Sequence, residues 1–456
     1  MTALAATNAE TLAPAAEAVP SWKEAGAWAC GLSALFIVVY GACNHVASLR
    51  ANVPVLYFGW ERHLPVVPAM IVPYWSIDLL FFASFFLCTS RRELRTHGRR
   101  FVLAILASAA FFLLFPLKFA FDRPDLDGVF GPLFKLLHGV DPPFNLVPSL
   151  HIADLCILWP LYVRHTRGAP RAGVKAWLLL IGVSTLLTYQ HHLVDVLTGQ
   201  MLGMACLYAL PDRRHVAETA PYRPTGLALR EGLRLGPRYA LGAVAFVMAA
   251  VILHSWGWVL LWPAASLAIV AAGYLKFGPV VFRKSGGRLP FSTRWLLGPY
   301  LLAAWLSWRF FRGRATPWVL VAPGVVIGRR LSGREARRLV ADQCVTAVLD
   351  LTAEFAETRV LRGLAYRNVP VLDLTTPSPR HLDAAVGFIQ EHAANGTVFV
   401  HCALGLSRAA CVAAAWLVVE GIAPTAGAAT ASLRKVRPSI VCREEAVGAV
   451  QAYCGA

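Results

Sequence analysis

The stretch of this sequence that decides the fold reads Val398-Phe-Val-His-Cys-Ala-Leu-Gly-Leu-Ser-Arg-Ala409. Its β-branched, apolar start predicts a buried strand over Thr397–Val400, and Ala409–Glu420 predicts a helix. A loop that enters a helix N-terminus points successive backbone N–H groups toward one spot, where the helix dipole favours negative charge. We therefore expect a strand, a loop and a helix that together bind an anion.

Two side chains of this loop add chemistry to the anion site. The helix N-terminus favours the thiolate form of Cys402, which begins the loop. Arg408 offers a planar fork that fits two phosphate oxygens, and Gly405 and Ser407 are predicted to complete the phosphate site. A nucleophile, an anion cradle and a fixed cation together predict phosphoryl transfer through a phosphocysteine.

The spacing His401-Cys402-x-x-Gly405-x-x-Arg408 resembles the signature of the cysteine-dependent dual-specificity and tyrosine phosphatases. The resemblance covers residues 318–456. It implies that an aspartate upstream of the cysteine protonates the leaving oxygen of the substrate.

Asp373 is the main candidate for that acid, since it stands 29 residues before the cysteine in Val369-Pro-Val-Leu-Asp-Leu-Thr-Thr-Pro-Ser. The alternative is that Asp373 caps or turns the chain before a helix over His381–His392. Asp350 and Asp383 are weaker candidates for the acid.

One position departs from the family pattern. A Ser or Thr hydroxyl usually follows the arginine and stabilises the thiolate as a leaving group, whereas Ala409 stands there in this chain. Ser407 is close by, but on the other side of Arg408. The departure predicts slow turnover of the phosphocysteine rather than a different reaction.

The composition of the whole chain is that of a membrane protein. Of its 456 residues, 57% are hydrophobic and 15% are charged, with a mean hydropathy of +0.54, and soluble proteins are less apolar and more charged. The net charge of +17 does not indicate nucleic acid, because the arginines form short clusters between apolar runs. The ten cysteines lack paired spacing, which predicts neither a disulfide framework nor a zinc site. We expect a lipid bilayer as partner, and no metal or cofactor.

Apolar stretches predict about eight membrane spans. A further region, Tyr239–Leu275, is interrupted at His254-Ser-Trp-Gly257 and is interpreted as the last two spans. The first six are Ala25–Leu49, Val66–Cys88, Phe101–Phe121, Ser149–Val163, Val174–Tyr189 and His192–Leu210.

Basic segments predict the orientation in a bacterial inner (plasma) membrane. Residues 89–100, 164–175 and 211–238 are rich in arginine and should face the cytoplasm, together with the N-terminus. The apolar run Trp295–Trp308 has fourteen residues, which fits an interfacial or buried helix better than a span. The domain that follows it is then cytoplasmic; if the run crosses, that domain faces outward.

From Trp318 onward, strand and helix patterns alternate, which predicts an α/β domain. The predicted strands are Val319–Ile327 and Val345–Leu351, and further helices are predicted over Gly333–Gln343 and Thr425–Arg434. The predicted division of the chain is a disordered tail (1–24), a six-span domain (25–211), a basic linker with two spans (212–275), a basic linker with an interfacial helix (276–317) and the α/β domain (318–456).

Three segments predicted on the outer side carry ionisable residues near the bilayer, where such residues are usually functional. They are Lys118-x-x-x-x-Arg123-Pro, Pro148-Ser-Leu-His151 and His191-His-Leu-Val-Asp195. His191 and Asp195 are four residues apart and so share a helix face. An aspartate bonded to one ring nitrogen would leave the other nitrogen free to attack. Lys118 or Arg123 alone could instead be a snorkelling anchor.

These segments resemble motifs of the type-2 phosphatidic acid phosphatase superfamily. The resemblance implies that His191 is the nucleophile, Asp195 its partner and His151 the acid for the leaving alcohol. It also implies that Lys118 and Arg123 hold the phosphate.

The match departs from the motifs at three places. The gap between Lys118 and Arg123 is shorter, Leu150 replaces a glycine, and Ser184-Thr185 stands where a Ser-Arg pair is usual. The segments look closer to the branch that contains inositol phosphorylceramide and sphingomyelin synthases, whose members transfer a phosphorylated head group between lipids.

The order of the two parts resembles a bacterial fusion of these two families. We predict a membrane phosphatase that hydrolyses phosphate monoesters, on lipids or on phosphoproteins, at two independent sites. One alternative is that the membrane half is a head-group transferase. The other is that this half is an inactive lipid-binding anchor for a protein phosphatase.

Overall fold

The computed structural model describes residues 18–212 and 226–455. Contacts between Cα atoms divide the chain into two compact units, Met1–Arg214 and His215–Ala456. Most of the predicted tail, residues 1–17, and part of the first basic linker, residues 213–225, lie outside the described residues.

The first unit is helical. Its first helix begins at Trp22, inside the predicted tail, because Ser21 and Glu24 form a capping box. The α-helices are α1 (Trp22–Ser48), α2 (Ile71–Ser84), α3 (Arg91–Leu114), α4 (Gly131–Val140), α5 (Leu150–Arg164), α6 (Gly168–Leu187) and α7 (Leu193–Ala209).

Two basic segments that were predicted as connections form helix instead. The side chain of Ser90 accepts a hydrogen bond from the Glu93 N–H and so starts α3 ten residues before the predicted span at Phe101. Likewise, residues 226–238 belong to α8 (Gly226–Leu253) of the second unit. Arginine is a good helix former, so a basic cluster next to an apolar run can extend its helix.

Six helical segments among the described residues are long and apolar enough to cross a bilayer, compared with the eight spans predicted. The predicted fourth and sixth spans correspond to α5 and α7, whose 15 and 17 residues fall below that length. The six segments are Trp22–Ser48, Pro68–Leu87, Arg91–Leu114, Gly168–Leu187, Gly226–Leu253 and Gly257–Phe282.

The second unit joins apolar helices to an α/β domain, as the sequence predicts. Its strands are β1 (Trp318–Ala322), β2 (Val325–Arg329), β3 (Val345–Thr352), β4 (Ala365–Val371) and β5 (Thr397–Cys402). Its further α-helices are α9 (Leu261–Ala272), α10 (Phe291–Leu296), α11 (Gly298–Phe311), α12 (Gly333–Gln343), α13 (Pro379–Ala393), α14 (Arg408–Val419), α15 (Ala426–Val436) and α16 (Glu444–Cys454).

The five strands form one sheet in the order β1-β2-β5-β3-β4, parallel except for the antiparallel pair β1-β2. The predicted single strand Val319–Ile327 is therefore wrong: it is a hairpin that turns at Gly324, where φ is +78°. Edge strand β4 and helix α16 were not predicted. The sequence of β4, Ala-Tyr-Arg-Asn-Val-Pro-Val, contains Arg367 and Pro370, which are typical of an edge rather than of a buried strand.

The central strand β5 carries the functional loop. Val398, Phe399 and Val400 are fully buried between β2 and β3, and every α14 residue from Arg408 to Leu417 is buried. Because β5 and its neighbours are parallel, their C-terminal ends meet at one edge of the sheet, where ligand sites form in α/β folds. Cys402 ends β5 at that edge.

Candidate active site

The loop from Cys402 to Arg408 folds tightly around the cysteine sulfur. The Gly405 N–H donates a hydrogen bond to the Cys402 Sγ over 3.2 Å. Gly405 has a φ of +68°, and a Cβ there would lie 2.5 Å from the backbone of Gly328 on β2. Only glycine therefore allows the loop to approach the sheet in this conformation. The predicted strand, loop and helix are confirmed, with Arg408 as the first residue of α14.

Arg408 is held rigidly by a buried carboxylate that no sequence pattern indicated. Its Nη1 and Nη2 atoms donate to the two carboxylate oxygens of Glu354 over 3.2 and 2.8 Å. Nη1 also donates to the Val371 carbonyl oxygen (2.8 Å) and Nη2 to the Asp373 Oδ1 (2.9 Å). Arg408 and Glu354 are each 3% exposed, so the fork is fixed before substrate binds.

Asp373 lies at the cavity, two residues after the end of β4. Its side chain is 47% exposed and contacts Arg408. Partial burial raises the pKa of Asp373, Arg408 opposes that rise and Glu354 adds to it, so the pKa lies above its usual value. Such a carboxyl keeps its proton to higher pH, as a general acid requires. Ser378, and not Asp373, caps the following helix α13.

The other two aspartates do not reach the cysteine. Asp350 is fully buried, and its Oδ2 accepts hydrogen bonds from the Lys284 Nζ (2.5 Å) and the Tyr366 hydroxyl (2.7 Å). Burial raises the pKa of Asp350, but Lys284, His401 and Tyr366 together lower the pKa below its usual value, so this carboxyl cannot supply a proton near neutral pH. Asp383 is an exposed residue of α13 and does not line the cavity.

His401 belongs to a buried charge network beneath the loop. Its Nε2 lies 3.1 Å from the Glu357 Oε2 and 3.9 Å from the Asp350 Oδ1. Burial lowers the pKa of His401, but the two carboxylates outweigh burial and raise the pKa above its usual value. These three residues are spaced closely enough to hold a metal ion. However, the Lys284 ammonium already neutralises Asp350 there, so the donor set does not require a metal.

Cys402, Arg408 and Asp373 line a cavity of about 300 Å³ whose walls include helices that precede the sheet. Tyr300, Ala304 and Trp308 of α11 line it, together with Glu231 of α8. The predicted interfacial run Trp295–Trp308 thus contributes to the wall of the site, and it is divided between α10 and α11. Side chains three or four residues apart share a helix face, but the sequence does not reveal what that face contacts.

In the first unit, hydrogen bonds bring the three predicted motif segments together. The Arg123 guanidinium donates to the Tyr189 carbonyl oxygen (3.2 Å), next to the third segment. The Ser149 N–H donates to the Asp195 carbonyl oxygen (3.1 Å), which ties the start of α5 to α7. His191 Nδ1 lies 3.4 Å from the Asp195 Oδ2, and both residues are buried.

The other ionisable residues of the predicted motif segments in the first unit have different surroundings. His151 stacks on Tyr74 with ring centroids 4.3 Å apart, whereas Lys118 is exposed. His192 uses both ring nitrogens: Nδ1 lies 2.9 Å from the Glu61 Oε2, and Nε2 accepts a hydrogen bond from the Ala120 N–H (3.1 Å). Glu61 was missed because an acid in a connecting loop usually faces solvent.

Comparisons with known proteins concern the C-terminal part. The solved structures that resemble it include PTPMT1 in complex with PI(5)P (22% identity, covering 31% of this chain and 96% of that chain, TM-score 0.29). Others are the active form of Tk-PTP (24%, covering 30% and 96%, TM-score 0.28) and human DUSP28 (23%, covering 31% and 94%, TM-score 0.26). Residues 334–454 match the family described as dual specificity phosphatase, catalytic domain. The C-terminal part of the chain is therefore a phosphatase catalytic domain of the dual specificity type, and the protein is a phosphoric monoester hydrolase.

Proposed function

We propose that this protein hydrolyses phosphate monoesters through a phosphocysteine on Cys402. The observation that carries the proposal is the convergence of three groups on one cavity: the Cys402 sulfur, the Arg408 fork and the Asp373 carboxyl. Gly405 and Ser407 complete the loop around the phosphate. The test of this role is to replace Cys402 by serine and to measure the release of inorganic phosphate.

In the first half-reaction the Cys402 thiolate attacks phosphorus, an S–P bond forms and the ester P–O bond breaks. Asp373 gives its proton to the leaving oxygen, while the Arg408 guanidinium and the loop N–H groups bind the phosphoryl oxygens. In the second half-reaction water attacks phosphorus, Asp373 takes a proton from that water, and the thiolate leaves. Ala409 offers the leaving thiolate no hydroxyl, so the second half-reaction is the slow one.

The proposed substrates are phosphorylated lipids. Helix α11 lines the catalytic cavity with Tyr300, Ala304 and Trp308, while Leu302 and Leu306 on the same helix are 57% and 53% exposed. Large exposed apolar side chains on a helix are typical of insertion into the boundary of a bilayer. A phosphate that reaches Cys402 past this helix would belong to a molecule held in the same boundary.

We expect Leu302→Glu and Leu306→Glu to slow hydrolysis of a long-chain lipid phosphate in vesicles by about tenfold each. Each change removes an apolar side chain worth ~1.5–3 kcal/mol in an apolar environment. Turnover of p-nitrophenyl phosphate should stay within about twofold, because neither side chain contacts the reacting groups. The measurement is the steady-state rate of each variant, relative to the wild type, on both substrates.

Leu320→Glu is the matched control, since Leu320 is 54% exposed but lies on β1. This variant should behave like the wild type on both substrates. Equal rates of all three variants on vesicles, or phosphopeptides turned over faster than any lipid phosphate, would refute the lipid proposal.

The proposed setting is a bacterial inner membrane, with the domain 318–456 on the cytoplasmic side. The proposed division of the chain keeps the sequence boundaries, with lipid-phosphatase-like helices over 25–211 and two further spans before residue 276. The six helices of spanning length support the membrane setting. The distribution of arginine supports the proposed orientation.

We also propose a second phosphate site in the first unit, with His191 as nucleophile. The contacts Arg123–Tyr189 and Ser149–Asp195 favour it, since they bring three distant segments together. In this proposal Asp195 orients His191, His151 protonates the leaving alcohol, and Arg123 with Lys118 binds the phosphate. The acceptor is water or, in the transferase alternative, a lipid hydroxyl.

His191→Ala should remove, by at least about a thousandfold, a lipid-directed activity that survives thiol alkylation. His45→Ala is the control, because His45 is an exposed residue of α1. Labelled lipid acceptors in the same assay distinguish transfer from hydrolysis. If alkylated wild type has no lipid-directed activity, and His191→Ala without alkylation keeps the wild-type rate, the first unit is an anchor and the second site does not exist.

A further inference from the structure

The loop that carries Asp373 is held from two sides by residues of the helices that precede the phosphatase domain. On one side, the Tyr274 hydroxyl donates to the Asp373 carbonyl oxygen over 2.8 Å. On the other side, the Glu231 carboxylate accepts hydrogen bonds from the Thr376 N–H (2.7 Å) and the Thr376 hydroxyl (3.0 Å). Glu231 and Tyr274 both lie outside the matched residues 334–454.

Both anchors are buried, so their hydrogen bonds are shielded from water. Tyr274 is 2% exposed and Glu231 is 8% exposed. Tyr274 also belongs to an apolar cluster with Leu372, the residue before Asp373, and with Ala353, the residue before Glu354. Hydrogen bonds of a charged carboxylate are about twice as strong as those between neutral groups. The contacts therefore fix the backbone immediately before, at and after the acid.

The backbone between the two anchors is strained. Leu374 has a φ of +58°, in the left-handed region that a bulky residue rarely adopts. Such a conformation costs about 1–3 kcal/mol and persists only where the surrounding structure imposes it. Leu374 itself is 55% exposed, so its own side chain does not impose it. The anchors on Asp373 and Thr376 flank this residue, and within the turn the Thr375 N–H (3.3 Å) and the Thr375 hydroxyl (2.9 Å) both donate to the Leu372 carbonyl oxygen.

We propose that Glu231 and Tyr274 are positioning residues that hold the Asp373 carboxyl at the leaving oxygen of the substrate. This inference rests on the proposed role of Asp373 as general acid. A general acid works only within hydrogen-bond reach of the oxygen it protonates. Helices in the segment Gly226–Phe282 thereby take part in the protonation step, although they contribute no group that reacts.

The test compares full-length Tyr274→Phe, Glu231→Gln and Asp373→Asn on two soluble substrates. Hexyl phosphate has a poor leaving group that needs the acid, whereas p-nitrophenyl phosphate has a good one that needs it little. We expect Asp373→Asn to slow hexyl phosphate by about a hundredfold and to abolish the fall in rate at alkaline pH. Tyr274→Phe and Glu231→Gln should each slow hexyl phosphate by about tenfold and p-nitrophenyl phosphate by less than about twofold.

Double variants distinguish a positioning role from a general loss of stability. If the anchors act through Asp373, adding Tyr274→Phe or Glu231→Gln to Asp373→Asn should cause no further loss. Two control variants lose comparable groups elsewhere: Tyr162→Phe, whose hydroxyl donates to the Leu80 carbonyl oxygen, and the exposed Glu420→Gln. Both controls should match the wild type.

Equal losses on the two substrates, or a full additional loss in the Asp373→Asn background, would overturn the inference and leave the acid role intact. A different outcome would contradict the proposed acid role of Asp373: Asp373→Asn would slow both substrates equally. In that case the anchors have no acid to position, and the inference falls with it.

Discussion

Replacement of Cys402 by serine is expected to reduce the hydrolysis of every substrate of the C-terminal site by at least about a thousandfold. Cysteine sulfur is a strong nucleophile toward phosphorus, whereas a serine hydroxyl without a neighbouring base is a weak one. Serine has nearly the same size as cysteine, so the buried loop should retain its fold. The loss then reports the missing nucleophile and not a collapsed site.

The measurement is the release of inorganic phosphate together with the mass of acid-quenched protein. Wild type should carry one added phosphoryl group on Cys402 during turnover, and its slow hydrolysis beside Ala409 should make it easy to trap. Cys344→Ser is the matched control, since Cys344 is exposed and far along the chain from the loop. A Cys402→Ser protein that turns over at the wild-type rate would exclude the phosphocysteine.

Arg408→Lys is expected to reduce kcat/KM by about a thousandfold. Lysine keeps the positive charge but loses the two-pronged fork that binds two phosphoryl oxygens. It also leaves at least one oxygen of Glu354 without the donor that it has in the wild type, in a position only 3% exposed. We therefore expect a lower melting temperature in addition to the kinetic loss.

Arg367→Lys provides the comparison, because Arg367 is an exposed residue of β4 in the same domain. It should affect neither rate nor stability. Glu354→Gln, which keeps the shape but removes the charge, should reproduce part of the stability loss of Arg408→Lys while the fork remains in place. Wild-type activity of Arg408→Lys would show that the phosphate is bound elsewhere.

Local sequence determined those elements whose stabilising contacts join residues only a few positions apart in the chain. Helix α12 forms over Gly333–Gln343 as predicted, because Ser332 and Glu335 make a capping box that can be read from four consecutive residues. The functional loop was equally readable, because the apolar strand, the spacing of Cys402, Gly405 and Arg408 and the following helix are consecutive in the sequence. The positions of the apolar helices followed from their composition, although α3 and α8 begin in basic segments that were predicted as connections.

Tertiary structure decided which distant groups surround the reacting atoms. Glu354 is 54 residues from Arg408 and Glu231 is 145 residues from Thr376, and no periodicity relates them. Alternation of polar and apolar residues predicts which face of an element is buried, but not which other element covers that face. The fork of Arg408 and the anchoring of the Asp373 loop arise only when the fold brings buried polar groups together, because each must find a partner once it leaves water.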